Sequence, residues 1–399
     1  MKKKHILFIV ENNSVPHDRR VWAEAQAAKE FGYDVSVICP IDERLQKKYL
    51  NIEGIDIYCH SRTEERPDKI GMILEYMNAL FWEFILSFKL FFKKRFHVIH
   101  AANPPDHIFL IALIFKLFGV KYIFDHHDIS PENYVAKYGG KGIFYYILLG
   151  MEWLTFRTAN LVICTNESYK KIALSRGNKD EENIFVVRNG PNIDKIPLKK
   201  PNNKLREGFK YLVGYVGVIG QQEGIENLLD AIKYLVTDKK ITDVKFIVVG
   251  SGPYWNEIVK IAQAMNVEKY IRFTGYIPDE ELYEVLNTAD VCINPEFSNP
   301  FTDKSTMVKI MEYMTFGKPV VQFETTEGKI SAGDASIYVK NNSPKEFADA
   351  LIDLIQDEEK RQRMGKIGRK KIEEQLGWHI QKLYLQKAYT RIFSKNIAQ

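Results

Sequence analysis

The chain predicts an α/β protein: two Rossmann-like βα domains in tandem, facing each other across a cleft. Three observations lead there. Short apolar, β-branched runs alternate with helical periods in both halves. A polar, Pro- and Asn-rich stretch, residues 191–210, interrupts that alternation and reads as a linker. The length, 399 residues, exceeds what one hydrophobic core ordinarily serves. The expected boundaries are 1–195 for the first domain, 205–377 for the second, and 378–399 for a helix that returns to the first.

In the first half, strands are expected at His5–Val10, Val35–Cys39, Ile55–Cys59, Val98–Ala101, Tyr122–Asp125, Leu161–Cys164 and Ile184–Val187. Such runs suit a parallel sheet covered on both faces. Helices are expected between them at Arg19–Phe31, Gly71–Phe92, Asp106–Phe118, Ile143–Ala159 and Ser168–Arg176. After the linker the strands are Tyr211–Gly217, Lys245–Val249, Ile271–Phe273, Val291–Ile293 and Val320–Phe323, with helices opening at Ile225, Tyr254, Asp279 and near Asp303 to Thr306. Lys345–Asn396 is helical, and its last piece, Trp378–Phe393, is expected to cross back over the linker.

Composition narrows the class. With 45% hydrophobic and 27% charged residues the chain is that of a soluble globular protein. Of the formal charge of +5, all lies in residues 1–200, which hold 29 Lys+Arg against 24 Asp+Glu. That is a modest bias toward an anionic partner or surface; a nucleic-acid partner is not expected. Cys39, Cys59, Cys164 and Cys292 sit in or at the ends of strands without paired spacing, as reduced core thiols of a cytoplasmic protein do. The N-terminal apolar run, Ile6 to Val10, is a first strand and too short for a signal sequence. No stretch reaches the roughly 18 apolar residues that span a bilayer.

The stretch that organises the chain is Asp290 to Val321: a buried strand, a broken loop, and a helix ended by Gly317. Its Ser305, Lys309 and Glu312 fall at i, i+4 and i+7, on one helix face. A satisfied internal ion pair is one reading. The other is a ligand site, because open α/β sheets bind ligands outside the carboxyl ends of their strands and phosphates favour helix N-termini. On that reading the N–H groups of Ser305, Thr306 and Met307 face a diphosphate, and Glu312 accepts hydrogen bonds from ribose hydroxyls.

Four further stretches are candidates. Asp18-Arg19-Arg20 opens a helix at a ligand-binding sheet edge, so one arginine is placed to reach an anion while its neighbour is solvated. Phe124 to Glu132, FDHHDISPE, crowds two histidines and two aspartates at a strand end. Adjacent residues splay to opposite sides there, which disfavours a metal cluster and leaves one inward histidine, His127, positioned by an acid. Two glycine turns, Gly217 to Gly224 and Gly250 to Gly252, let a backbone approach a phosphate or sugar closely. Finally, Gly71–Arg95 is a strongly apolar, aromatic helix closing on Lys93-Lys94-Arg95. It is either a buried crossover or, the reading favoured here, a helix whose Trp82, Phe84, Phe88 and Phe91 partly enter a lipid interface above the basic cluster.

With these residues in hand, the chain resembles the family 4 glycosyltransferases of the GT-B fold over nearly its whole length. The segments that carry the likeness include HDRRVWAEAQAAKEFGYDVSVICP, NPPD, FDHHDISPE, VVRNGP, YVGVIGQQEGIENLL, GYIPDEELYEVLNTADVCINP and STMVKIMEYMTFGKPVV, and they look like a bacterial subgroup that builds O-antigens, capsules and exopolysaccharides. The resemblance implies a retaining, metal-independent transfer from a nucleotide-sugar, with UDP-sugar favoured, to a lipid-linked glycan at the inner membrane face. No cofactor beyond that donor is implied. By motif, Glu312 matches the ribose-binding glutamate, His127 the histidine near the reacting sugar carbon with Asp128 beside it, Tyr276-Ile277 the loop around the base, and Gly220 with Gln221 the turn under the phosphates. Gly252, Arg188 and Asn189 complete the nucleotide side. Asp18, Arg19 and Arg20 lie on the acceptor side.

The chain departs from the family at three charges. Lys304 stands where the paired-Glu motif has its first acid, and Val218 and Glu223 replace the usual arginine and lysine of the glycine turn. The phosphate clamp is therefore expected from Lys304 and Lys309, with Arg188 or Arg19 in reserve. Two other readings remain: a GT-B nucleotide-sugar epimerase, and a catalytically silent nucleotide-sugar-binding partner of an assembly complex.

Overall fold

All five residues of His5–Ile9 are buried, which only a strand in the middle of a doubly covered sheet achieves. In the computed structural model, which describes residues 3–41, 46–61 and 69–394, this run is β1. It is followed by β2 (Asp34–Pro40), β3 (Tyr49–Ile52), β4 (Ile55–His60), β5 (Val98–Ala102), β6 (Lys121–His126), β7 (Leu161–Cys164) and β8 (Ile184–Val186). These form one eight-stranded sheet in the order β3-β4-β2-β1-β5-β6-β7-β8, parallel except for β3 against β4. The helices between them are α1 (Arg19–Glu30), α2 (Lys69–Lys93), α3 (Phe109–Lys116), α4 (Ser130–Tyr138), α5 (Ile143–Thr158) and α6 (Glu167–Ser175).

The chain divides into two units. The first is Met1–Asn189 together with Lys382–Gln399, and the second is Gly190–Gln381. The second unit carries β9 (Tyr211–Val216), β10 (Val244–Val249), β11 (Ile271–Gly275), β12 (Val291–Asn294), β13 (Val320–Phe323) and β14 (Ser336–Val339). They form an all-parallel sheet in the order β11-β10-β9-β12-β13-β14. Counted within the unit this is 3-2-1-4-5-6, the doubly wound order. Its helices are α7 (Ile225–Thr237), α8 (Trp255–Ala264), α9 (Asp279–Thr288), α10 (Val308–Thr315), α11 (Thr326–Ala332), α12 (Pro344–Gln356) and α13 (Glu358–Lys371), with α14 (Trp378–Phe393) leading out. One apolar cluster, around Ile232, Phe246 and Phe347, fills one side of this sheet. A second, around Leu212, Met311 and Tyr313, fills the other.

The expected linker is fastened to the second unit. The Lys199 and Asn202 N–H groups donate to Asn287 Oδ1 (2.9 Å) and Thr288 Oγ1 (2.8 Å), and Arg206 forks onto Asp290 at 2.6 and 3.0 Å. Polar composition marks it as a loop; the buried C-terminal end of α9, with Asp290 just after it, supplies the acceptors that order it. From Lys382 onward α14 belongs to the first unit, where Tyr389 Oη lies 2.9 Å from His100 Nδ1 and Lys121 Nζ donates to the Ile392 carbonyl at 2.8 Å. Residues 395–399 of the expected C-terminal helix lie outside the described residues.

Candidate active site

In the second unit the strand order reverses between β9 and β12, the point outside whose carboxyl ends such sheets take ligands. Two glycine loops meet there. The Gly217 N–H donates to the Val249 carbonyl and the Ile219 N–H to the Ser251 carbonyl, both at 3.0 Å. Gly250 holds φ +137°, and a Cβ there would overlap the Gly217 carbonyl. A Cβ on Gly252 would come within 2.5 Å of the Ile219 carbonyl oxygen. These two glycines thus serve the close approach of one loop to the other. Gly220 is extended, caps the 3-10 turn Gln221–Glu223, and leaves Gln221 exposed.

The organising helix starts later than expected, at Val308 with Met307 as its N-cap. Residues 299–305 form side-chain-capped turns instead: Asn299 Oδ1 accepts from the Phe301 (2.9 Å) and Thr302 (3.0 Å) N–H groups, and Ser305 N–H donates to the Thr302 carbonyl at 3.3 Å. Asn, Ser and Thr offer the backbone such local partners and so compete with helix. Ser305 is therefore off the helix and nearly buried, its Oγ donating to the Phe301 carbonyl at 2.9 Å, and the i, i+4, i+7 stripe does not exist as predicted. Lys304 and Thr306 are half-buried in the same turns, and Glu312 is half-buried on α10 itself.

Lys309 takes partners that its spacing did not suggest. Its ammonium sits 2.5 Å from Glu296 Oε1 and 3.3 Å from Glu223 Oε2, and 4.9 Å over the Tyr215 ring. Burial works against the charge, but Glu296, Tyr215 and Glu223 outweigh it and hold the Lys309 pKa well above the ordinary value. Burial likewise pushes the Glu296 carboxyl up to about 7, with Lys309 opposing and Glu223 adding to the rise. The expected clamp needs correction: the Lys309 charge is matched by two carboxylates of its own unit, one of them the very Glu223 that replaces the usual basic residue. Tyr276 is 74% exposed, whereas Ile277 packs beside Val285 against the unit's core.

In the first unit the expected residues fall around one buried cation. Arg20 Nη2 lies 2.8 Å from Asp125 Oδ1 and 3.0 Å from Glu24 Oε1, and Nη1 donates to the Val187 carbonyl (2.8 Å) and to Asn189 Oδ1 (2.5 Å). His127 Nε2 is 2.5 Å from Asp125 Oδ2 and 2.7 Å from Arg20 Nε. Burial alone would raise the Asp125 pKa, but Arg20 and His127 outweigh it and keep this carboxylate well below the usual range. Arg20 is thus corrected from an acceptor contact to the hub of an internal network. Asp18 caps α1 by accepting from the Val21 N–H at 2.9 Å, and only Arg19 of the three is exposed. Arg188 is buried. Asp128 accepts from the Ile129 N–H (2.8 Å) and Asn133 Nδ2 (3.1 Å), and burial pushes its carboxyl up to about 6.

Sequence reasoning missed Asn103, Glu24 and Glu296. Asn103 Oδ1 accepts from the His127 (2.6 Å) and Asp128 (3.1 Å) N–H groups, so it sets the strand end that carries both. Its signal was the NPPD segment, and that of Glu296 its place just after β12. That of Glu24 was its place four residues after Arg20, the i, i+4 spacing at which opposite charges meet on a helix.

Comparisons place this arrangement among known proteins. A family model described as Glycosyltransferase Family 4 matches residues 18–195, and one described as Glycosyl transferases group 1 matches residues 197–371. An uncharacterized glycosyltransferase of Methanocaldococcus jannaschii is 23% identical over 376 residues, 92% of this chain and 91% of that protein. The capsular polysaccharide biosynthesis glycosyltransferase CapM of Staphylococcus aureus is 28% identical over 258 residues, 60% of this chain and 64% of that protein. Among solved structures, sucrose-phosphate synthase of Thermosynechococcus elongatus superposes with a TM-score of 0.80 at 17% identity, covering 98% of this chain and 99% of that one. Anabaena HepE in complex with UDP gives 0.71 at 15% identity, covering 97% and 100%. With its two units of doubly wound sheet, its whole-length likeness to GT-B structures and the two family models side by side from residue 18 to residue 371, the chain belongs to the family 4 glycosyltransferases.

Proposed function

We propose that this glycosyltransferase moves a sugar, with retention, from a UDP-sugar bound by the second unit to a lipid-linked glycan bound by the first, in bacterial surface-polysaccharide synthesis. The observation that carries the donor half is the convergence, at the β9/β12 switch point, of the glycine turn, Glu296 and Lys309. Of the relatives, the CapM name supports the polysaccharide role and the HepE complex the uridine nucleotide. Glu312 is the ribose acceptor on this reading. The diphosphate oxygen takes the acceptor proton, so the step calls for no covalent nucleophile and no metal.

The acceptor half rests on the outer face of α2, α3 and α5, which pack side by side. Phe81, Phe92, Leu117, Ile143 and Tyr146 are 57, 69, 85, 74 and 62% exposed, and Lys93, Lys94 and Arg95 are exposed beside them. Of the four aromatics expected at the interface, Trp82 and Phe88 are exposed while Phe84 and Phe91 are half-buried. Apolar side chains rimmed by basic ones suit an anionic lipid surface. Among the described residues no helix is long and apolar enough to cross a membrane. The four buried free cysteines accord with a cytoplasmic face.

The test is Glu312→Ala. Loss of a charged acceptor for two ribose hydroxyls corresponds to about 2–4 kcal/mol, or roughly 30- to 1000-fold in the dissociation constant of UDP, with unfolding unchanged because Glu312 is not a core residue. Equal UDP affinity in calorimetry for both proteins rejects the donor site. A pH effect follows as well. Protonating Glu296 releases Lys309 for the diphosphate, so donor binding takes up a proton. Affinity is then expected to fall by about tenfold as pH rises through 7, for a one-unit rise of that pKa on binding. Titrations of UDP between pH 6 and 8 check this; a flat profile removes Glu296 from the donor site.

A further inference from the structure

One cluster of the first unit, separate from the Arg20 network, holds more buried negative charge than the described residues offset. Glu11 leaves the carboxyl end of β1, His60 ends β4, and Glu83 lies on α2. They are 7, 3 and 0% exposed. One donor atom from each lies within 4.8 Å of the other two. His60 Nδ1 is 3.2 Å from the Ser61 carbonyl oxygen, to which it donates, so in the neutral ring Nε2 carries the lone pair. That lone pair faces Glu11 Oε2 at 3.0 Å. Two acceptors therefore confront each other, and neither has a hydrogen-bond partner. Both oxygens of Glu83 also lack one. The charge that acts on Glu83 is that of Glu11, of the same sign. A buried carboxylate without a partner is costly, and a second one beside it makes the cost larger.

We propose that Glu11, His60 and Glu83 bind a divalent transition-metal ion, zinc by their donor set, which ties β1, β4 and α2 together. Carboxylate oxygen and imidazole nitrogen are both zinc ligands, and two of the first with one of the second leave the fourth tetrahedral position to water. At bond lengths of about 2.0–2.1 Å the ligand atoms of a tetrahedral zinc lie about 3.3 Å apart. The His60–Glu11 pair, at 3.0 Å, is already near that spacing, and the other separations are at most 4.8 Å. The Nδ1–H bond to a carbonyl is the outer contact that holds a zinc-binding imidazole in the right tautomer. The ion is structural: it anchors the start of the loop that runs from Glu11 to the Asp18 cap of α1 and the Arg20 hub.

The test uses the full chain stripped with EDTA and titrated with Zn²⁺ by calorimetry, followed by metal counting after desalting. One zinc per chain and a higher Tm with zinc than without are expected. Glu83→Gln, close to isosteric, and His60→Gln should each weaken zinc binding by about 100-fold or more. Mg²⁺ should not compete. Wild-type protein without stoichiometric zinc, or Glu83→Gln with undiminished affinity, overturns the proposal and leaves a proton as what the cluster holds. Should His60→Gln fail to fold, Glu83→Gln and Glu11→Gln decide alone. Because the readout is metal and stability, its failure leaves the donor and acceptor assignments standing.

Discussion

Arg20→Met is expected to destabilise the first unit by about 3–5 kcal/mol, the range for removing one partner of a buried ion pair. The arginine side chain is 7% exposed, and the Asp125 and Glu24 side chains it holds are fully buried. Without it, the Asp125 and Glu24 carboxyl groups are left buried side by side, with His100 and His127 among their polar neighbours. Arg20→Lys should lose much of the same stability, because a point charge cannot fork between Asp125, Val187 and Asn189. The effect has a pH signature. Asp125 has a depressed folded-state pKa, so its contribution is present above the ordinary carboxylate value and is lost as pH falls below it. The gap between wild type and Arg20→Met should therefore narrow in acid. Hydrogen exchange of the β6 amides reports this unit alone, which matters because a two-unit chain need not unfold in one step. Wild-type protection of β6 in Arg20→Met sinks the claim. If instead Arg20→Met/Asp125→Asn recovers part of the loss, the network reading stands.

Lys309→Met is expected to cost the second unit a similar amount, about 3–5 kcal/mol, by leaving Glu296 buried beside Glu223. It should also abolish measurable UDP binding, but that result alone does not separate a phosphate contact from local collapse. The double variant Lys309→Met/Glu296→Gln does. It removes the uncompensated charge and should return the Tm to near the wild-type value. If Lys309 holds the diphosphate, UDP affinity stays down by about 10- to 100-fold, the worth of a charge-assisted hydrogen bond. Restored stability together with restored UDP binding would make Lys309 a structural residue and move the clamp to the loop of Lys304.

How far the chain could be read in advance varied by element. The fully apolar runs, such as Ile6 to Val10 and Leu161–Cys164, read as central strands because nothing but a covered parallel sheet accommodates them. The edge strands β3 and β14 and the short helix α4 did not. β3 alternates exposed and half-buried residues next to a turn, and α4 lies within a segment dense in functional-looking residues. The start of α10 was misjudged by a few residues, where Asn299, Thr302 and Ser305 close turns that helical periodicity does not register.

The candidate site divides in the same way. Which polar residues gather at strand ends is partly legible: His127, Arg20, Lys309 and the glycine turns all stand out in the sequence, and Glu223 stands out as a departure. What each one touches was not. Arg20 and Asp125 are separated by 105 residues, and Glu223 and Lys309 by 86. Their pairing depends on which strands lie side by side, and periodicity carries no record of that.

By itself, then, the sequence determined the two βα units, the family and the set of polar residues at strand ends, because burial and backbone propensity act over a few neighbouring residues. Only the tertiary structure decided which charges neutralise which. A buried charge is compensated by whatever the fold brings within a few ångströms, and the same lysine is a phosphate ligand or one member of an internal triad depending on where Glu223 and Glu296 come to rest.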